Sequence, residues 1–404
     1  MGVEDSNRTW PVAWMHVGFA LTGIGTTLLG CILPALSLAW HLDDRQAGIL
    51  FAAQFTGSSS GALLVRKDFS RSLFRGYLLL IPSTIALTFF SGLIAAPLFL
   101  IFGLGLGLTI TATSMLIGSA SLPNRGAALS VLNAIWGSGA ALSPLIASVW
   151  VKRWPPVGVY LLLAMALMIT FLFIGKDRAA FVPLPADPTE QSTGHIQLRS
   201  VSIFAVIGFL YVGTEVSISG WMMTYVGRLP ISSQAWAPVA TCCFWVALLC
   251  GRTLVPVVVR WLSEAQLLAS SIVVAFLGAV LLLLSRVPAA IVLSATLAGL
   301  MLAPVFPLIL AKVLALGRGS PKTKWVFAIS GMGGAVLPWI TGELSAHTGS
   351  LRIGLLVPVV ALGTMVILDR LGSGWWENRR PQHRNQLPLR TPAPDSPSEM
   401  DEPS

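Results

Sequence analysis

Apolar stretches of about twenty residues recur along the whole chain, and nothing else in the sequence constrains the fold so strongly. A helix needs roughly 20 apolar residues to cross a hydrocarbon core of about 30 Å. Such stretches lie near 13–39, 46–65, 74–94, 97–119, 126–150, 156–175, 200–226, 234–257, 266–285, 288–311, 325–346 and 352–371. The reading is an all-α polytopic membrane protein of about twelve transmembrane helices. Backbone groups cannot stay unpaired in lipid, so the alternative would be a β-barrel, whose strands alternate in polarity; these runs do not alternate. Composition agrees: 54% of the 404 residues are hydrophobic and 11% charged, and the mean hydropathy is +0.77. Soluble enzymes and nucleic-acid binders are thereby excluded.

The net charge of +9 could suggest an anionic partner, but its placement explains it. With the N-terminus inside, the outer side carries Arg45, Lys152, Arg153, Arg228, Arg286 and Arg352, and the other 20 of the 26 basic residues fall on the inner side. This asymmetry orients both termini to the cytoplasm and places the protein in the cytoplasmic (plasma) membrane. The excess charge is a topogenic signal with some attraction to anionic lipid. The N-terminus has no basic cluster ahead of an apolar core, so it does not read as a cleavable signal peptide.

The longest break in hydrophobicity, 176–199, reads as a cytoplasmic linker between a first six-helix bundle, 1–175, and a second, 200–371. The Pro-rich, charged end, 372–404, reads as a disordered cytoplasmic tail. Cys31, Cys242, Cys243 and Cys250 lie in apolar runs and suggest neither a disulfide nor a metal site. The five histidines are scattered without ligand spacing, and no metal or other cofactor is expected. No phosphate-binding loop occurs, so ATP does not drive the protein.

The two halves superpose as an internal repeat. At an offset of 190, Gly18, Phe19, Gly23 and Gly30 fall on Gly208, Phe209, Gly213 and Gly220, and Gly61 falls on Gly251. At an offset of 194, Gly137, Gly139, Ala141, Pro144 and Ile146 find identical partners in Gly331, Gly333, Ala335, Pro338 and Ile340. Two parallel copies of a six-helix unit can rock about a central cavity and expose it to one side at a time. Gly57-x-x-x-Gly61 and Gly103-x-x-x-Gly107 suit close helix contact. Pro144 and Pro338 lie mid-span in equivalent helices, where a kink would bend a gate or shape the packing.

Glu215 is the one acidic residue of the 17 placed near the middle of a span. A carboxylate at that depth costs several kcal/mol unless protonated or paired, which makes it a candidate for substrate binding or proton coupling; the alternative is a structural bond between the halves. Tyr211 and Ser219 lie one turn on either side of it and share its face. Gln54 and Ser58 share a face of the second helix, and Asn133 and Trp136 share one of the fifth; such amides must bond either a neighbouring helix or a ligand. Trp136, Trp245 and Trp339 lie deep, where an indole suits either core packing or stacking on the C–H face of a sugar. Other tryptophans, such as Trp14, Trp150 and Trp154, read as an aromatic belt.

Five segments carry a resemblance: "LPALSLAWHLDDRQAGILFAAQFTGSSSGALL" from Leu33, "LNAIWGSGAALSPLI" from Leu132, "LYVGTEVSISGWMMTYV" from Leu210, "FWVALLCGR" from Phe244 and "GMGGAVLPWITG" from Gly331. They resemble the major facilitator superfamily and, within it, the branch around the fucose permeases, proton symporters of fucose, galactose and glucose. The resemblance implies the major facilitator fold, with Glu215 at the acidic position of the seventh-helix motif and Gln54 and Asn133 at polar positions of the second and fifth. The basic stretch Arg66-Lys-Asp68, with Arg71 and Arg75, stands for the family's loop after the second helix. Arg252 is its counterpart after the eighth, and the two are expected to form a cytoplasmic gating network. One departure is clear. The family places carboxylates in the first and fourth helices for proton coupling, whereas here no acidic residue occurs between Asp5 and Asp43 or between Asp68 and Asp177. Either Glu215 takes the proton, or transport is uncoupled, or substrate and coupling differ.

The sequence therefore reads as a secondary transporter, not an enzyme. It would act as a monomer among membrane lipids, moving a small polar solute, most plausibly a sugar, by alternating access with or without protons. The alternatives are an exporter of amphipathic compounds and a non-transporting membrane sensor.

Overall fold

The computed structural model describes residues 4–120, 125–176, 198–229, 235–309, 312 and 324–373. Of the expected linker, 176–199, residues 177–197 lie outside the described residues and its ends belong to helices; of the expected tail, 372–404, all beyond Ser373 lies outside them. Among the described residues, twelve long helices follow one another: α1 (Glu4–Trp40), α2 (Asp44–Leu64), α3 (Phe69–Ala86), α4 (Ala96–Ala120), α5 (Arg125–Trp150), α6 (Gly158–Lys176), α7 (Leu198–Gly227), α8 (Ala237–Val258), α9 (Glu264–Leu284), α10 (Pro288–Leu302), α11 (Lys324–Thr348) and α12 (Leu356–Ser373). No strand occurs among the described residues. Among the described residues, nine helical segments are long and apolar enough to cross a membrane; α2, α3 and α11 carry more polar residues and fall short of that measure. α10 continues past a turn at Ala303–Pro304 as far as Ile309, because Pro304 cannot donate a backbone hydrogen bond.

Local chemistry sets several boundaries. Asp43 and Gln46 form a reciprocal capping box at the start of α2, and Ser263 and Gln266 form another at α9, each satisfying backbone N–H groups that a helix leaves open. α3 begins earlier than the hydropathy suggests, because the Asp68 carboxylate accepts the Arg71 N–H at 2.9 Å. It also ends earlier, at Ala86; a short 3₁₀ turn at Gly92–Ala95 leads into α4, with Gly92 at a φ of +67° that favours glycine.

The repeat reappears in the packing. A methyl at Gly23 would lie 2.2 Å from the Trp136 carbonyl oxygen, and one at Gly139 would lie 2.1 Å from that of Ala20, so α1 and α5 touch backbone to backbone. Their equivalents do the same, with Gly333 against the Phe209 carbonyl at 1.9 Å and Gly213 against that of Gly333 at 2.8 Å. Gly30 and Gly220, mates under the repeat, meet each other, with a Gly30 methyl 2.7 Å from the Gly220 Cα. A residue that touches its own mate lies on the axis relating the copies, so this axis passes between α1 and α7. The two Gly-x-x-x-Gly motifs of the first half also face one another. Methyls at Gly57, Gly61, Gly103 and Gly107 would all lie 1.9–2.2 Å from carbonyl oxygens across the α2–α4 seam, the close approach that only glycine allows. α5 and α11 run on through Pro144 and Pro338.

The first six helices meet the last six along three seams: α2 with α11, α5 with α8, and α1 with α7. We call the end of the bundle where α1 finishes and α2 begins the far end, and the opposite end the near end.

Candidate functional site

A cavity of about 320 Å³ lies between the halves, within the size range of small-molecule sites. α1 contributes Thr26 and Thr27, α2 Phe51, Phe55, Ser58 and Ser59, and α4 Thr111. Trp136 comes from α5, Glu215 and Ser219 from α7, Trp245 from α8, and Phe306 from the continuation of α10. The wall is thus aromatic, with hydroxyls concentrated on the first half and one carboxylate on the second. Trp136 and Trp245 meet edge to face across the α5–α8 seam, their ring centroids 5.7 Å apart, a favourable geometry for two aromatic rings.

Glu215 is 8% exposed, and its partners lie behind the wall. The Arg252 guanidinium approaches the Glu215 Oε2 at 3.1 Å and the Tyr211 hydroxyl oxygen at 3.2 Å. The Tyr211 hydroxyl donates to that same carboxylate oxygen, and its ring stacks on Phe306 with centroids 5.7 Å apart. Ser219 donates to the Glu215 backbone carbonyl at 2.7 Å. The buried acid is therefore paired, as its cost in lipid requires. The Arg252 Nε is buried without a partner among the described residues, so the cluster retains hydrogen-bonding capacity.

Arg252 corrects the sequence reading. It was expected in a cytoplasmic network with Arg66 and Asp68, yet its side chain is one-fifth exposed and engages Glu215. The long, flexible arginine stem lets a head group from the near part of α8 reach the middle of the bundle. Arg66 and Asp68 act locally: Asp68 caps α3 and pairs with Arg71 at 3.0 Å, while the Arg66 N–H donates to the Ser72 hydroxyl at 3.3 Å. The signal for Arg252 was an arginine inside an apolar helix, which calls for a buried partner.

The other candidates divide. Ser219, Trp136 and Trp245 line the cavity with Glu215, and Tyr211 bonds Glu215 from behind the wall. Gln54 is 1% exposed and donates to the Thr26 carbonyl at 2.9 Å, so it joins α2 to α1 instead of lining the cavity. Asn133 is exposed and donates to the Leu129 carbonyl of its own helix at 2.9 Å. Trp339 is 39% exposed on the outside of α11, since its backbone, not its ring, faces α2 at Gly48. Pro338 serves through its carbonyl, which accepts the N–H of the fully buried Trp221 at 3.1 Å.

The sequence reading missed the polar cluster that ties the halves at the far end. Arg228, just after α7, grips Asp44 of α2 through a fork of 2.6 and 2.7 Å, and Ser345 of α11 donates to the same carboxylate at 2.5 Å. Beside them Arg45 pairs with Glu343 at 3.1 Å, and His347 lies 3.1 Å from Glu343. Among the described residues, these two arginine pairs are the ion pairs that cross between the halves. An aspartate beginning a helix looks like a cap in sequence, so nothing local marks Asp44 as a latch.

A helical bundle of two repeated halves, with a paired buried acid on the wall of a cavity between them, defines a polytopic membrane transporter. The chain belongs to the Major Facilitator Superfamily, which it matches over residues 15–320. It is similar to a glucose/galactose transporter of Brucella abortus, 25% identical over 404 residues, with 89% of this chain and 95% of the relative covered. It is also similar to bypass of stop codon protein 6 of Saccharomyces cerevisiae, 23% identical over 406 residues, with 86% and 79% covered. Among solved structures it matches the transporter FucP in the outward conformation, with a TM-score of 0.61, 15% identity and 90% and 99% coverage. It matches a peptide transporter, POT, in complex with alafosfalin, with a TM-score of 0.69, 17% identity and 92% and 94% coverage. The structural likenesses bear on the fold alone.

Proposed function

We propose that the protein is a secondary active transporter that carries a sugar by alternating access, with the Glu215–Arg252 pair as the point of proton coupling. The observation that carries this reading is the ion pair itself, its carboxylate set on the wall of a cavity between two repeated halves. Protonation of Glu215 removes the charge that compensates Arg252, and the buried guanidinium must then seek a new partner, a solute hydroxyl or the other half. The indoles of Trp136 and Trp245 and the hydroxyls of Ser58, Ser59 and Thr111 are groups suited to a sugar, which has apolar C–H faces and polar edges. The glucose/galactose relative in Brucella abortus supports the substrate class. We read 1–175 and 200–371 as the two moving bodies, joined by the linker. The termini face the cytoplasm, so the far end is external, the Asp44–Arg228 latch closes the outside, and the cavity is poised toward the inside. The protein works as a monomer in the cytoplasmic membrane and carries out no covalent chemistry.

The test is uptake of labelled fucose, galactose and glucose into liposomes containing the purified protein, with and without an inward proton gradient. Gradient-stimulated uptake by the wild type and its loss in Glu215→Gln, with an unchanged elution profile, is the expected result. Unchanged pH-dependent uptake in the variant removes Glu215 from the mechanism. The aromatic character of the wall, with Phe51, Phe55 and Phe306 beside the two indoles, favours a second reading, an exporter of amphipathic compounds. A resistance screen in an efflux-deficient host separates the two.

A further inference from the structure

Six serine and threonine side chains line the central cavity, and they are of two kinds. Thr26 donates to the Thr22 carbonyl at 2.8 Å, Thr27 to the Gly23 carbonyl at 3.1 Å and Ser219 to the Glu215 carbonyl at 2.7 Å. Each makes the bond back to the preceding turn that is open to a hydroxyl inside a helix. Ser58, Ser59 and Thr111 face the same cavity and make no hydrogen bond among the described residues. The packing of α2 accounts for part of this difference. Ser58 would turn back to the Gln54 carbonyl, but α4 covers that carbonyl so closely that a side chain at Gly103 would run into it. The Ser58 carbonyl is covered in the same way by Gly107, one turn before Thr111, so Ser58 and Thr111 come from facing stretches of one seam. Ser59 looks toward α11, where a methyl at Gly331 would lie 2.5 Å from its hydroxyl oxygen. Under the 190 offset Ser58 and Ser59 correspond to Leu248 and Leu249. The packing of the repeated unit is thus met by leucine at these positions and does not call for a hydroxyl.

We propose that Ser58, Ser59 and Thr111 are the specificity-determining residues of the carrier, bonding adjacent hydroxyls along one edge of a monosaccharide ring; this rests on the sugar reading above. A hydroxyl both donates and accepts, so a group of three matches an edge of adjacent sugar hydroxyls without any charge. These three have their full bonding capacity left for a solute, whereas Thr26, Thr27 and Ser219 would first have to give up a bond to their own helix. A site built to bond a hydroxyl rejects the analogue that lacks it, because its own polar group is then left unpaired. Trp136 and Trp245 take the apolar face of the same ring. The affinity set by α2 and α4 is therefore separable from the protonation of Glu215 on α7.

The experiment uses the full chain in liposomes with labelled galactose and glucose, competed by unlabelled monodeoxy analogues that each lack one ring hydroxyl. Binding of the same sugars is read separately from tryptophan fluorescence in detergent. Ser58→Ala, Ser59→Ala and Thr111→Val each remove one hydroxyl with little change of volume. Each should raise KM about 2- to 10-fold, with the maximal rate and the pH profile kept. Each should also lose the wild type's discrimination against one deoxy analogue, the non-additivity that marks a direct bond. Thr111→Ser, which keeps the hydroxyl, should stay closer to the wild type than Thr111→Val, and Ser219→Ala should move KM less than Ser58→Ala. The Tm of the three variants should stay near that of the wild type, since these hydroxyls have no protein partner to lose; a large drop shows a structural role and overturns the proposal. Sugars bound and carried with KM and analogue discrimination unchanged in the variants overturn the proposal alone. A wild type that neither binds nor carries any of these sugars overturns the sugar reading and the proposal with it.

Discussion

The α2–α11 and α5–α8 seams are mates under the internal repeat, yet they are built differently. Along α2–α11, Gly48 packs on the Trp339 backbone, Gly334 on the Phe55 ring, Gly331 on Ser59 and Gly342 on the Asp44 carbonyl. The Asp44–Arg228 and Arg45–Glu343 pairs finish this seam at the far end. Along α5–α8 the contacts are made by side chains: Trp136 against Trp245, and the Leu249 side chain against Gly137. The first seam is zipped through backbone contact and charge, and the second rests on surfaces that can slide or part. The repeat thus duplicates helices and their packing within each half, while the contact between halves is asymmetric. An alternating carrier needs such an asymmetry in any one state, because both ends cannot be closed equally while the cavity is accessible.

Breaking the first seam at its charged end should cost most. Arg228→Ala leaves Asp44, 8% exposed, buried with only Ser345 for company, and should destabilise by roughly 2–5 kcal/mol, toward the lower end because Arg228 reaches solvent. Asp44→Ala should cost less, since the arginine it frees can turn to water. Thermal unfolding of the two variants in the same detergent checks the order, and equal losses would remove the burial argument. Gly342→Leu comes next. Its Cβ would lie 2.3 Å from the Asp44 carbonyl oxygen, and overpacking of this kind costs about 1–3 kcal/mol. Gly137→Ala, on the second seam, should cost well under that, because the added methyl meets only the movable tip of Leu249 at 3.1 Å. A similar loss in both would erase the contrast between the seams. The Trp136–Trp245 coupling should also be small, about 0.5–1.5 kcal/mol in a double-mutant cycle with alanine.

The cavity offers a comparison of its own. Under the 190 offset, Glu215 and Arg252 correspond to Gly25 and Ala62, so the charged pair has no counterpart in the first half. In that half Gly25 packs against the Phe102 ring, and Ala62 lines the cavity. Packing positions were retained in both copies, and chemistry was confined to one.

Glu215 was legible in the sequence because burial of a carboxylate in an apolar run has one energetic meaning wherever the helix goes. Tyr211 and Ser219 followed from helical spacing, which is local. For Gln54, Asn133 and Trp339 the sequence left open what each side chain meets, because helical rotation about its own axis depends on what packs against it. Gln54 turned toward α1, and Asn133 and Trp339 turned outward. Arg252 lies 37 residues from its acid, and no local pattern links them.

The sequence by itself determined the helices, their number, the repeat and the one deep acid, since each follows from hydrophobicity and period along the chain. Only the tertiary structure decided which arginine answers that acid and which aspartate latches the far end. Those are contacts between segments distant in sequence, fixed by how close the glycine-lined helices can approach and by the need of every buried charge to find a partner.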